Sequence, residues 1–220
     1  MFSWFKHKNY PPFFRSYLEK FKLPHPKGIE NTRFVVFDTE TTGLNTKTDR
    51  LLSIGAIAII NNVIDVADSL EIYLKQETFN ADSVKIHGIL KGGTLVKMNE
   101  TEAIERFLNY IKNSVLVAHH AGFDIEMINV SLKKLGLKKL QNKSIDTGVL
   151  YKKLNGKANA QFSLDILSEE FRIPQNDRHT ASGDAFITAQ LFLKILSKLK
   201  KERTVHYSDL FRNSKKNGLI

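Results

Sequence analysis

Asp38 and Glu40 stand two residues apart, directly after the apolar run Arg33-Phe34-Val35-Val36-Phe37. That run is β-branched and aromatic, the make-up of a buried strand. Side chains on a strand alternate faces, so Asp38 and Glu40 point to the same side. Paired carboxylates at the end of a buried strand repel each other and lose hydration. The arrangement costs free energy unless a cation lies between them. Taken alone, the same residues also read as a plain strand end, with Thr41-Thr42-Gly43 as turn chemistry.

Two further carboxylates follow in order. Asp124 opens a helix just past the apolar stretch Val115-Leu116-Val117-Ala118, the position where open α/β sheets place their sites. An acid there is also what a helix N-terminus favours electrostatically. Asp184 falls in the first turn of the last long helix, with Ser182 as the expected N-cap. His179 precedes it in a loop, where an imidazole stays mobile; an ordinary surface histidine is the competing reading.

The elements that must position these groups can be read from periodicity. Leu51 to Ile60 is a second apolar strand, and Asn61-Asn62 suits the left-handed backbone of a hairpin turn into Val63 to Leu74. The first three strands are therefore expected as an antiparallel meander. Helices are expected over Ala81 to His87, closing on Gly88, and over Glu100 to Lys112, with Ala103, Ile104, Phe107, Leu108 and Ile111 on one face. After the strand Val115 to Ala118 come a helix Phe123 to Leu135, a brief strand at Ser144-Ile145 and a helix Thr147 to Leu154. A helix Ser163 to Phe171, capped by Ser163, precedes the last one. Strands first, then alternating strand and helix, argue for a mixed sheet covered by helices.

Residues 1–30 form an aromatic and basic extension, with a short amphipathic helix expected over Phe13 to Phe21. Aromatic rings beside lysines can stack on bases; the helical spacing of Phe13, Phe14, Tyr17, Leu18 and Phe21 favours packing on protein. From Lys198 the chain turns basic and reads as a partly disordered tail. The division expected is 1–30 extension, 31–200 catalytic domain and 201–220 basic tail.

Composition narrows the classes. The 220 residues are 42% hydrophobic, enough for a real core. A net charge of +10 favours a polyanionic partner, nucleic acid before an acidic membrane surface. There is no cysteine, so thiolate zinc sites and disulfides are excluded. No apolar run approaches the ~20 residues of a membrane span. A cytoplasmic protein with no membrane partner is expected.

FDTETTGL (residues 37–44), HHAGFD (119–124) and HTASGDA (179–185) resemble the three motifs of the DEDD family of 3′→5′ exonucleases. The spacing of His179 and Asp184 resembles the histidine branch, DEDDh, and the stretches are most similar to proofreading epsilon subunits of bacterial DNA polymerase III. The resemblance covers about residues 33–200. It implies an α/β, ribonuclease H-like fold with a five-stranded mixed sheet flanked by helices. It implies Asp38, Glu40, Asp124 and Asp184 as metal-binding acids, holding two Mg²⁺ or Mn²⁺ ions, and His179 as general base. Hard oxygen ligands fit those ions better than zinc.

The resemblance extends to substrate contacts. Thr39, Thr41, Thr42, Gly43 and Leu44 correspond to the loop that cradles the terminal nucleotide, His87 and Ile89 to the segment against the 3′-terminal base and sugar. His119, His120 and Phe123 complete the set. His120 stands where the family usually has asparagine, so an amide contact becomes an imidazole. The implied activity is hydrolysis from the single-stranded 3′ end of DNA, releasing nucleoside 5′-monophosphates in proofreading or repair, with a DNA polymerase subunit as protein partner. The alternatives are an RNA-trimming exoribonuclease and a catalytically silent nucleic-acid-binding domain.

Overall fold

The computed structural model describes residues 10–24, 26, 28–77, 80–90, 92, 94–155 and 161–211. Its centre is β1 (Phe34–Thr41), whose first four residues are all buried. β2 (Leu51–Ile60) pairs with it antiparallel, and β3 (Val63–Leu74) pairs antiparallel with β2. Asn61 and Asn62 turn the corner with φ of 53° and 60°, the left-handed pair a tight hairpin requires. β5 (Val115–Ala118) and β6 (Ser144–Asp146) extend the other side in parallel.

The sheet has six strands rather than five, in the order β4-β3-β2-β1-β5-β6. The added strand, β4 (Lys97–Met98), pairs in parallel with Tyr73 and Leu74. Two residues are too few to show a hydrophobic period, so only pairing with the end of β3 defines them.

Helices cover both faces. α1 (Pro12–Glu19), α3 (Glu100–Ile111) and α4 (Ala121–Lys134) lie over one face. α5 (Thr147–Asn155), α6 (Leu164–Glu170) and α7 (Ala181–Glu202) lie over the other. α2 (Ala81–His87) ends on Gly88 at φ 67°, as its sequence requires. β1 serves both cores: Phe34 and Val36 belong to the one under α7, Val35 and Phe37 to the one under α3 and α4. A strand buried on both sides is a continuous apolar run, which is why Phe34 to Phe37 carries no polar residue.

The N-terminal helix packs on its own domain. Phe14 and Tyr17 are fully buried against the α3 core, and Phe14 stacks between Tyr10 and Tyr17. The Tyr17 hydroxyl donates to Asn142 Oδ1 at 2.6 Å and accepts from the Gln141 N–H at 2.9 Å. The rings in 10–21 that could have stacked on bases are thus largely used internally; residues 1–9 lie outside the described region. At the other end, α7 runs on past Lys198 to Glu202, and Tyr207–Leu210 forms a 3₁₀ turn that buries Leu210. Of the tail expected to be partly disordered, the stretch up to Phe211 is docked through Val205, Tyr207, Leu210 and Phe211, and residues 212–220 lie outside the described region.

Residues Leu191 and Phe192 of α7 are fully buried in the core beneath that helix. No helix among the described residues is long and apolar enough to cross a membrane.

Because Phe14 fills space between α1 and α3, Phe14→Ala should lower unfolding free energy by about 3–5 kcal/mol, the usual cost of truncating a buried aromatic. Urea unfolding of the variant measures it. A loss within experimental error would mean that α1 is not part of the cooperative unit.

Candidate metal centre and active site

The alternation that splits β1 between two cores continues into its polar end. Asp38 and Glu40 follow the parity of Phe34 and Val36 and turn to the α7 face; Thr39 follows Phe37 to the α4 face. On the α7 face Asp184 meets them: carboxylate oxygens of Asp38, Glu40 and Asp184 lie within 4.8 Å of one another. On the α4 face the Thr39 N–H and hydroxyl donate to Asp124 Oδ1 at 3.0 and 2.7 Å. Asp124 therefore stands outside the close trio, drawn toward Thr39, though its charge acts on both Asp38 and Glu40.

Close approach of α7 to the sheet depends on Gly55. It pairs with Asp38 across β1 and β2, and a Cβ there would lie 2.2 Å from the Ala181 carbonyl carbon. Gly183 is needed for close packing of the first turn of α7 on the preceding turn, since its Cβ would lie 2.0 Å from the Asp177 carbonyl oxygen. The N-cap of α7 is Thr180, not the expected Ser182: the Gly183 N–H donates to Thr180 Oγ1 at 3.1 Å. Ser182 is instead turned outward, donating to Glu71 Oε1 at 2.6 Å. The helix begins two residues earlier than the pattern implied, with Ala181 as its first helical residue.

The electrostatics follow from burial and like charge. Burial pushes the Asp38 carboxyl well above its ordinary range, and Asp124, Asp184 and Glu40 add to it. Burial, then Asp184 and Asp124, raise Glu40 to about 8. Asp124 rises to about 7 through burial, against the pull of its two Thr39 bonds. Asp184 Oδ1 is buried without a hydrogen-bond partner.

One positive charge enters the site, and it was not among the residues picked out from the sequence. Arg178 Nη1 pairs with Asp184 Oδ2, while its Nε donates to Asp165 Oδ1 at 2.7 Å. The only sequence signal was adjacency to His179; the contact depends on where α6 puts Asp165. His179 is exposed, at φ 62° in the turn before α7.

The remaining expected substrate residues divide into two groups. Several are committed within the protein. His119 is buried, its Nδ1 2.8 Å from Thr147 Oγ1 and its Nε2 2.9 Å from the Phe162 carbonyl. A carbonyl only accepts, so Nε2 carries the proton and Nδ1 accepts from Thr147. His87 is buried, and its Nδ1 accepts from the Ile89 N–H at 3.0 Å, with Ile89 buried beside it. Thr41 Oγ1 donates to the Gly43 carbonyl, and Thr42 Oγ1 to Asp49 Oδ1 while accepting from the Arg50 N–H. Gly43 lies against Asp49, where a Cβ would come within 2.7 Å.

Others face solvent. Leu44 is 85% exposed, and His120 is exposed at φ 62° as the N-cap of α4, with Phe123 partly buried one turn on. Asp146, beside the site in sequence pattern, accepts from the Gly148 and Val149 N–H groups and so caps α5.

The profile of the RNase_T exonuclease family matches residues 35–192, the stretch from β1 to the middle of α7. The chain belongs to the exonuclease family. Among curated relatives of this exonuclease, the DNA polymerase III subunit epsilon of Buchnera aphidicola subsp. Acyrthosiphon pisum is 32% identical over 204 residues. That match covers 86% of this chain and 84% of the relative. The PolC-type DNA polymerase III of Caldanaerobacter subterraneus subsp. tengcongensis is 37% identical over 173 residues, but the chain spans only 12% of it.

Solved structures share the fold. E. coli Exonuclease I in complex with a dT13 oligonucleotide has a TM-score of 0.68 at 16% identity, covering 78% of this exonuclease and 42% of that chain. Exonuclease X in complex with 5′ overhanging duplex DNA has a TM-score of 0.62 at 20% identity, covering 81% and 99%.

The raised acids make stability of the metal-free exonuclease depend on pH. Glu40 holds its proton to about pH 8 when folded but to about 4.5 when unfolded. Between those values the native state binds more protons, so unfolding free energy falls as pH rises. Melting temperatures in chelator should decline across this window, and Glu40→Gln should flatten the decline. Parallel curves for the two proteins would remove Glu40 as the source.

Proposed function

We propose that this protein is a divalent-metal-dependent 3′→5′ exonuclease that removes nucleotides from single-stranded DNA ends, releasing nucleoside 5′-monophosphates. Proofreading or repair is its context, with a polymerase subunit as partner. The observation that carries the reading is the convergence of Asp38, Glu40 and Asp184 on one point at the end of β1. DNA is favoured as substrate by the epsilon subunits among its relatives, by the dT13 oligonucleotide bound to Exonuclease I and by the 5′ overhanging duplex DNA bound to Exonuclease X.

The donor set fits hard divalent cations. All the ligands are carboxylate oxygens, Asp184 Oδ1 is buried without a partner, and Asp38 and Glu40 are raised by burial and then by neighbouring carboxylates, whose repulsion a cation would relieve. Asp38, Glu40 and Asp184 would hold the metal, with Asp124 joining from the α4 side. Two Mg²⁺ or Mn²⁺ ions, when bound, supply Lewis-acid polarisation of the phosphodiester and neutralise the charge that develops on it.

The chain's own groups do the rest. His179, on its exposed turn, takes the proton of the attacking water as the phosphorus–oxygen bond forms. The bond to the 3′ oxygen of the preceding nucleotide breaks, leaving that strand with a new 3′ hydroxyl. The loop that carries the exposed Leu44 and the N-terminus of α4, with the exposed His120 and the partly buried Phe123, offer the surfaces on which a strand end can lie. His119 holds Thr147 through Nδ1 and Phe162 through Nε2, and His87 fixes Ile89 through Nδ1.

The reading is tested with 5′-labelled single-stranded DNA, duplex DNA with a 3′ mismatch, and RNA, each with Mg²⁺ or chelator. Stepwise shortening from the 3′ end, fastest on single-stranded DNA and absent in chelator, is expected. Faster loss of RNA would favour the trimming alternative.

Asp38→Ala should abolish that turnover while metal-free melting temperature holds or rises, because one repelling charge has gone. A variant that keeps wild-type rate would remove Asp38 from the site. His179→Ala should lower kcat by about 10²–10⁴ and remove the acid limb of the pH–rate profile, with KM little changed. If His120→Ala removes that limb instead, the base is His120.

A further inference from the structure

Arg178 reaches the acid cluster from outside it and is held at both ends. Its Nε donates to Asp165 on α6 at 2.7 Å, and its Nη1 pairs with Asp184 on α7. The side chain is only 15% exposed. One contact would be enough to screen a carboxylate; two contacts on different helices also set its direction, a use for which the planar guanidinium fork is suited.

The backbone around it is constrained as well. Asp177 and His179 have φ of 57° and 62°, so a left-handed residue stands on each side of Arg178. Non-glycine residues adopt that region at a cost and need their surroundings to hold them there. Thr180 supplies part of the hold, donating its N–H and hydroxyl to the Asp177 carbonyl. The Arg178 side chain supplies a second anchor, from the same turn to α6. With Asp184 Oδ2 taken by Arg178, Oδ1 is the oxygen left for the cluster, and it is the one without a partner.

We propose that Arg178 is a positioning residue of the exonuclease site. Tethered to Asp165, it holds Asp184 with one oxygen free for the acid cluster and pins the turn that presents His179. This rests on the exonuclease reading above. Asp165, half exposed and outside the cluster, then matters to metal binding although it touches none of the acids.

Two variants separate this from simple charge neutralisation. Arg178→Lys keeps the positive charge but cannot span both carboxylates; Asp165→Ala removes the tether and leaves Arg178 and the cluster intact. Mn²⁺ binding is measured by calorimetry without nucleic acid, and kcat and KM on a single-stranded oligonucleotide. Both variants should weaken Mn²⁺ binding by about tenfold or more, the usual cost of losing a group that orients a ligand. Both should lower kcat with KM within about twofold, and the double variant should be no worse than Arg178→Lys.

Lysine at 178 restoring wild-type Mn²⁺ affinity and kcat would overturn the proposal in favour of charge alone. So would an Asp165→Ala protein indistinguishable from wild type. A wild-type protein that binds Mn²⁺ yet shortens no 3′ end would overturn the exonuclease reading, while the Mn²⁺ isotherms still decide the role of Arg178.

Discussion

Mutual repulsion among carboxylates at the end of β1 is the constraint on which the rest of the site depends. Asp38, Glu40 and Asp184 crowd within 4.8 Å in surroundings that have shed much of their water, and Asp124 adds its field from the other face. Burial favours the neutral forms of Asp38 and Glu40, the neighbouring carboxylates push the same way, and Arg178 opposes them. Only a scaffold held together elsewhere can keep such groups in place. Two cores on either side of β1 do this, so that the strand ends where it does whether or not its last residues are comfortable.

The scaffold brings the acids together by close backbone approach. The N-terminus of α7 lies against β2 at Gly55, directly across the ladder from Asp38. A side chain at 55 would push α7 outward and carry Asp184 with it. Gly183 plays the same part between the first turn of α7 and the Asp177 carbonyl. The site is thus set by what is missing from two residues as much as by the carboxylates.

Around the acids, polar groups are arranged to hold position. Thr39 fixes Asp124 by two hydrogen bonds, His119 links Thr147 to Phe162, and Asp146 caps α5. Each is buried or half-buried and satisfied within the protein, which leaves the exposed Leu44, His120 and His179 as groups free to meet a partner. A site with a buried, satisfied back and an exposed rim suits an enzyme that must admit and release a strand end at every step.

Period and parity made much of this legible in the chain alone. The alternation of Phe34 to Phe37 carried Asp38 and Glu40 to one face, and apolar spacing defined the strands and helices that follow. Spaced acids and a histidine, in order, matched a family pattern. What the chain alone could not determine were contacts between elements far apart in sequence. Asp124 belongs to the opposite face through Thr39; the cap of α7 is Thr180, not Ser182; and two residues at Lys97–Met98 become a strand only beside β3. Arg178 is the sharpest case. In sequence it is one basic residue among many, and it becomes part of the site because packing of α6 on α7 places Asp165 and Asp184 within the reach of one guanidinium. Local pattern reports which face a residue takes; which residue it meets there depends on the packing of distant segments.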